Sequence, residues 1–133
     1  MSDELTARIG DEKFVALTTF KKDGTPVATP MWIARDGAHL VVWTPAEAWK
    51  VKRARRDPRV EMTPCSRTGK VAPGAPVLHG AAAVVTDTAA VDRAEALIKA
   101  KYGLQFRIIT ALEALLSRGR KPRVTLQISP TAG

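Results

Sequence analysis

Two Asp-Gly dipeptides, Asp23-Gly24 and Asp36-Gly37, cut the N-terminal third of the chain into three extended runs. Both residue types tolerate the positive φ that a tight hairpin turn demands. The runs Phe14 to Phe20, Thr25 to Ala34 and His39 to Trp43 are rich in β-formers, so a three-strand meander is expected. Pro26 and Pro30 interrupt the second run, and because proline offers no donor to a ladder they belong at a strand start, an edge or a bulge. An irregular strand of this kind is where a ligand could approach backbone.

The rest of the chain mixes helical and extended signals. Leu5 and Ile9 mark a short helix from Glu4 to Gly10. Thr44-Pro45-Ala46-Glu47 has the form of a capping box, with Thr44 as N-cap and proline at the first helical position, and predicts a helix running to about Arg56. Asp57-Pro58 stops it. Arg59 to Pro64 is a further strand, Thr68 to Pro76 a loop, and Val77 to Asp87 another extended run. Asp87-Thr88 then caps a helix to Tyr102, with Val91, Ala94 and Ile98 on one face and Gly103 as its stop. A helix from about Gln105 to Ser117 carries Ile108, Leu112, Leu115 and Leu116 at helical spacing, and Arg123 to Ser129 alternates Val124, Leu126 and Ile128 as a closing strand. This order predicts a mainly β (α+β) fold, a six-stranded antiparallel split β-barrel with peripheral helices, in a single domain over residues 1–133.

Of the 133 residues, 21 are Lys or Arg against 13 Asp or Glu, for a net charge of +8 and a pI near 10.2. Such a chain attracts anions: nucleic acid, anionic membrane surfaces, or small ligands with phosphates or carboxylates. The single Cys65 makes no internal disulfide and reads as a small buried hydrophobe, and residues 1–10 lack the basic and apolar regions of a secretory signal. A cytoplasmic location is expected. No apolar run reaches the roughly eighteen residues of a membrane span, so no membrane partner is expected.

Conventional catalytic groups are scarce. His39 and His79 lie forty residues apart, neither beside a Cys, Glu or second His at metal spacing, so no metal site is expected. The nucleophile-elbow, P-loop and dinucleotide-binding patterns are absent, which leaves any chemistry to a cofactor. Trp32, Trp43 and Trp49 are rings able to wall a planar ligand. Between Lys50 and Arg59 the chain carries six basic residues, Lys50, Lys52, Arg53, Arg55, Arg56 and Arg59. At about 100° per residue they cannot share one partner: Lys50, Arg53 and Arg56 could line one side of a helix, and Lys52, Arg55 and Arg56 another. A capped helix start at Thr44 to Lys50 would favour an anion through its orphan N–H groups, although a hydroxyl that caps its own helix is less free to donate to a ligand.

Three stretches together carry a family resemblance. Thr19-Phe20-Lys21-Lys22-Asp23-Gly24-Thr25-Pro26-Val27-Ala28-Thr29-Pro30-Met31-Trp32, then Val42-Trp43-Thr44, then Lys50-Val51-Lys52-Arg53-Ala54-Arg55-Arg56-Asp57-Pro58-Arg59-Val60 resemble the pyridoxamine 5'-phosphate oxidase-like FMN-binding split-barrel superfamily, and within it the actinobacterial group of F420-dependent oxidoreductases. The Lys101 to Phe106 stretch and the Arg123 to Pro130 strand fit the same group. The resemblance implies a homodimer with the cofactor at its interface. It implies that Ala28, Thr29, Pro30, Met31, Trp32 and Ile33 run beside the ring, and that Trp43, Thr44, Trp49, Lys50, Val51, Lys52, Arg55 and Arg56 serve the phosphate end. Flavin oxidases of the superfamily typically place an Arg-Lys pair at the phosphate; here Trp49-Lys50 stands there, and the chain ends without the aromatic and arginine-rich segment that handles pyridoxamine phosphate. Vitamin B6 oxidation is therefore not expected. The implied cofactor is coenzyme F420, with FMN as the alternative, and the implied activity is hydride transfer to a small electrophile, with no catalytic residue named. A flavin-binding or tetrapyrrole-binding protein (haem or biliverdin) without turnover is the second reading, and nucleic-acid binding the least favoured.

Overall fold

The computed structural model describes residues 2–46, 48–117 and 123–131, with backbone alone for 2, 3, 110 and 113–117. Helix α1 (Ser2–Gly10) precedes strands β1 (Val15–Phe20), β2 (Pro26–Met31), β3 (Ala34–Asp36) and β4 (His39–Pro45). Helix α2 (Trp49–Arg56) leads to β5 (Arg59–Pro64) and β6 (Leu78–Val85); α3 (Thr88–Tyr102) and α4 (Leu104–Ser117) then precede β7 (Arg123–Pro130). The strands form one curled antiparallel sheet in the order β2-β1-β5-β6-β7-β4-β3.

The split barrel expected from the sequence is present, with seven strands instead of six. The run from Thr25 to Ala34 breaks at Trp32-Ile33 into β2, which pairs only with β1, and β3, which pairs only with β4. The three-strand meander is accordingly absent: the two halves of its middle strand lie at opposite ends of the sheet order. Both Asp-Gly turns form, with Gly24 at φ 91° and Gly37 at φ 62°, values that a side chain would strain. Pro26 and Pro30 sit on β2, which has a neighbour on one side only and so tolerates missing donors.

Alternation along the strands divides the apolar residues into two cores. Val15, Leu17, Leu40, Val42, Val60, Met62, Val124, Leu126 and Ile128 fill the concave side, plugged by Ile9 of α1 and by Val51 and Ala54 of α2. On the outer side, Val41 and Trp43 of β4 are covered by Ala94, Ile98 and Tyr102 of α3 and by Phe106 of α4. Asp87 caps α3 by accepting from the Ala90 N–H at 3.0 Å, and Gly103 ends it, as the sequence indicates.

The capping box at Thr44 does not form. Thr44 and Pro45 remain in β4, opposite Val124 and Arg123 of β7, and the helix begins four residues later at Trp49, where Ala48 caps without a side-chain hydrogen bond. A strand ladder to β7 satisfies more backbone groups than one hydroxyl cap would, and it turns Thr44 into the barrel interior, where the residue is fully buried. Glu47, the other half of the expected box, lies outside the described residues, as do the side chains of Leu115 and Leu116.

Candidate functional site

The break between β2 and β3 leaves the polar backbone of Ile33 without strand partners, and α3 supplies them. The Ile33 N–H donates to the Tyr102 hydroxyl at 3.1 Å, and that hydroxyl donates to the Lys13 carbonyl at 2.8 Å. The adjacent Lys101 ammonium donates to the carbonyls of Ile33 and Gly10, each at 2.7 Å, and of Glu12 at 2.5 Å. Burial lowers Lys101 to about 8, against the upward pull of Asp11 and Glu12, and raises the Tyr102 phenol. The Tyr102 ring stacks on Trp32 at 4.5 Å between centroids and 10° between planes. Trp32 is thus backed by a second ring whose own hydroxyl is tied to backbone on both sides.

Trp32 forms one wall of a cavity of about 260 Å³. Pro30, Met31 and Phe14 continue that wall; Trp43, Ile109, Arg67 and Arg123 complete the lining. The Arg123 guanidinium lies over the Trp43 ring, 4.3 Å from its centroid, and Phe106 meets the same ring from α4 at 5.3 Å. Thr29, one residue before this lining, has a buried hydroxyl with no hydrogen-bond partner among the described residues.

A second concavity lies where α2 passes the β1–β2 hairpin. It is lined by Lys21, Lys22, Trp49, Arg53 and Arg56. Two of its cations are anchored: the Arg53 Nε donates to the Thr19 hydroxyl at 2.7 Å and the Arg56 guanidinium to the Phe20 carbonyl at 2.5 Å. Trp49 is 69% exposed and carries the Lys52 ammonium over its ring at 4.5 Å. Lys50, half-buried at the start of α2, is pushed below its usual range by burial and then by the charge of Arg53. An anion at this point would offset both effects.

The structure therefore divides the residues singled out in the sequence. Pro30, Met31, Trp32 and Trp43 share the cavity, while Trp49 and Arg56 share the groove with Arg53. Of the three cations expected on one side of the helix, Arg53 and Arg56 line the groove, whereas Lys50 is not among its lining residues, and Arg55 is exposed apart from the groove. The side chains of Ile33, Val51 and Thr44 are fully buried, so they support the site from beneath instead of lining it, and Ala28 is exposed on β2 outside both concavities. Sequence reasoning missed Phe14, Arg67, Ile109 and Arg123 in the cavity and assigned no role to Lys21 and Lys22. Lys21-Lys22 had a readable signal, since a pair of cations just before an Asp-Gly turn must sit at a hairpin tip. Arg67, in a loop without periodicity, had none.

A family model described as pyridoxamine 5'-phosphate oxidase matches residues 1–133. The chain belongs to that family. Among solved structures, a conserved hypothetical protein from Mycobacterium tuberculosis superposes with a TM-score of 0.72 at 22% identity, covering 99% of this chain and 82% of that one. An F420 reductase gives 0.58 at 21% identity over 94% and 92% of the two chains, and an FAD-binding protein from Mesorhizobium loti 0.62 at 17% over 99% and 91%. At these identities the likeness is one of fold. None of the curated proteins matches the sequence. Among the described residues, no helix is long and apolar enough to cross a membrane.

Proposed function

We propose that this member of the pyridoxamine 5'-phosphate oxidase family is an F420-dependent oxidoreductase acting as a homodimer. The observation that carries the reading is the separation of its two concavities. The groove lies at the Pro26 end of β2 and the aromatic cavity at the Met31 end, a strand length of about 17 Å. A ring in the cavity and anionic groups in the groove suit a cofactor with a long anionic tail better than one with a single phosphate near its ring.

The residues fit such a cofactor chemically. Trp32, Trp43, Met31 and Pro30 offer flat apolar contact to a deazaflavin, and Thr29 holds a buried hydroxyl without a partner beside them. Lys50 would meet the phosphodiester, and Lys21, Lys22, Arg53 and Arg56 the carboxylates of the tail. When bound, reduced F420 supplies a hydride to an electrophilic small molecule. The protein's part is to position and to exclude water: Tyr102 and Lys101 fix the Trp32 wall, and the aromatic lining keeps the ring end dry. A second copy of the chain would close the open side of the cavity, and α4 offers apolar area for it in the exposed Leu104, Ile108 and Leu112.

Titration of the purified protein with F420 and with FMN tests the reading. F420 should bind the more tightly, with an affinity that falls steeply with salt. Micromolar binding of FMN with none of F420 overturns the choice of cofactor, and a Lys50→Glu variant with unchanged F420 affinity overturns the placement of its phosphodiester.

A further inference from the structure

One side chain at the end of α3 ties together three separate pieces of backbone. The Lys101 ammonium donates to the carbonyls of Gly10 at the end of α1, Glu12 in the α1–β1 connection and Ile33 at the β2–β3 break, at 2.7, 2.5 and 2.7 Å. Three acceptors need three N–H groups, and only the charged form has them. The neutral amine has two, with a lone pair in place of the third, so loss of one proton turns at least one of these short contacts from attractive to repulsive. Ile33 links Trp32 to β3, and its other tie to α3 is the Tyr102 hydroxyl. A change at Lys101 therefore alters the support of the Trp32 wall while Tyr102 and the strands keep the fold together.

Facing the ammonium are Asp11 and Glu12 from the α1–β1 connection, whose carboxylates favour the charge, and Arg35 of β3, a like charge that lines the same surface concavity. Beside it on α3 lies the Tyr102 ring, 5.1 Å away at its centroid. Burial outweighs the two carboxylates and brings Lys101 to about 8, whereas the Tyr102 phenol is raised by burial and keeps its proton there. The surface concavity gives that proton a route to solvent. We propose that Lys101 makes the Trp32 wall of the aromatic cavity proton-dependent: the wall is set for a planar ring when the ammonium sits among its three carbonyls, and slack when the amine is neutral. Ligand binding in the cavity then draws a proton onto Lys101, and affinity falls as pH rises. That consequence rests on the reading that the cavity takes a planar cofactor ring; the behaviour of the wall does not.

The test follows quenching of tryptophan fluorescence by acrylamide in the protein alone, over a pH window of roughly 1.5 on either side of the Lys101 value. Quenching in the wild type should rise in one step with a midpoint of about 8. Lys101→Met, which has no proton to lose, and Lys101→Arg, which keeps its charge throughout, should show no step, nor should Trp32→Phe. A wild type without the step, or a step that survives in any of the three variants, overturns the proposal. Should the Lys101 variants fail to fold, the NMR shift of the wild-type Lys101 Cε decides: titration in register with the fluorescence supports the proposal, and a midpoint at the ordinary 10.5 overturns it. Titrations with F420 and with FMN at both ends of the window keep the two readings apart. Whichever binds should lose about tenfold more affinity at the alkaline end in the wild type than in Lys101→Arg, and an equal loss in both proteins overturns the proposal. If neither cofactor binds while the step and its loss in the variants are seen, the cofactor reading falls and the proton-dependent wall stands; if F420 binds and the step is missing, the reverse holds.

Discussion

The cavity and the groove stand at the two ends of one strand and are held in place by different means. The cavity wall is fixed by α3, whose Lys101 and Tyr102 reach across 68 and 69 residues of sequence to the backbone of Ile33. The groove is fixed locally, by single hydrogen bonds from Arg53 and Arg56 to the end of β1. A region held by buried, mutually dependent bonds should lose stability and shape together when one member is removed. A region of anchored surface cations should lose binding while the fold stays intact.

Tyr102→Ala is the most severe way to break that contrast. It removes a buried ring, its stack on Trp32 and the hydroxyl bonds, and should cost about 3–5 kcal/mol in urea unfolding. Tyr102→Phe keeps the ring and should cost about 1 kcal/mol; a loss as large as that of the alanine variant would mean that the hydroxyl, not the stack, holds the wall. At the other end of β2, an Arg53→Ala, Arg56→Ala pair should weaken F420 binding by about tenfold to a hundredfold while changing stability by less than about 1 kcal/mol. A loss of stability comparable to that of Tyr102→Ala would erase the distinction between the two regions.

Lys101 sharpens the comparison through pH. Its folded value of about 8 lies below the 10.5 of the free side chain, so between those values the unfolded chain holds more protons than the folded one. Stability from this group therefore rises as pH increases from about 8 to 10.5. Unfolding of wild type and Lys101→Met across this window should show the wild type gaining relative to the variant; a constant difference would mean that the three carbonyls hold the proton as firmly as water does. The smallest effect is expected at Trp49, 69% exposed. Trp49→Ala should shift stability by no more than about 0.5 kcal/mol, and its effect should be confined to ligand binding in the groove.

What the sequence revealed and what it concealed follow the range of the interactions involved. The Asp-Gly turns, the Asp87 cap and the Gly103 stop depend on residues a few positions apart, and each forms as written. The Thr44 capping box is equally local, yet it is overruled by pairing with Val124, eighty residues away. The break at Trp32-Ile33 is stable only because Lys101 and Tyr102 arrive there, and nothing near Ile33 in the sequence announces them. The basic helix was visible as a run of charge. Its division into anchored members, Arg53 and Arg56, and an exposed one, Arg55, depends on where the tip of the β1–β2 hairpin comes to rest.

The two outermost strands also decide whether the sheet can be extended by another chain. An open sheet exposes unpaired backbone at each end, a template on which further chains can add and grow into aggregates. Here β2 carries Pro26 and Pro30, which subtract two donors from any incoming strand, and β3 is only three residues long. Neither end offers a continuous ladder. Open-ended polymerisation of the chain through its strand edges is thereby disfavoured.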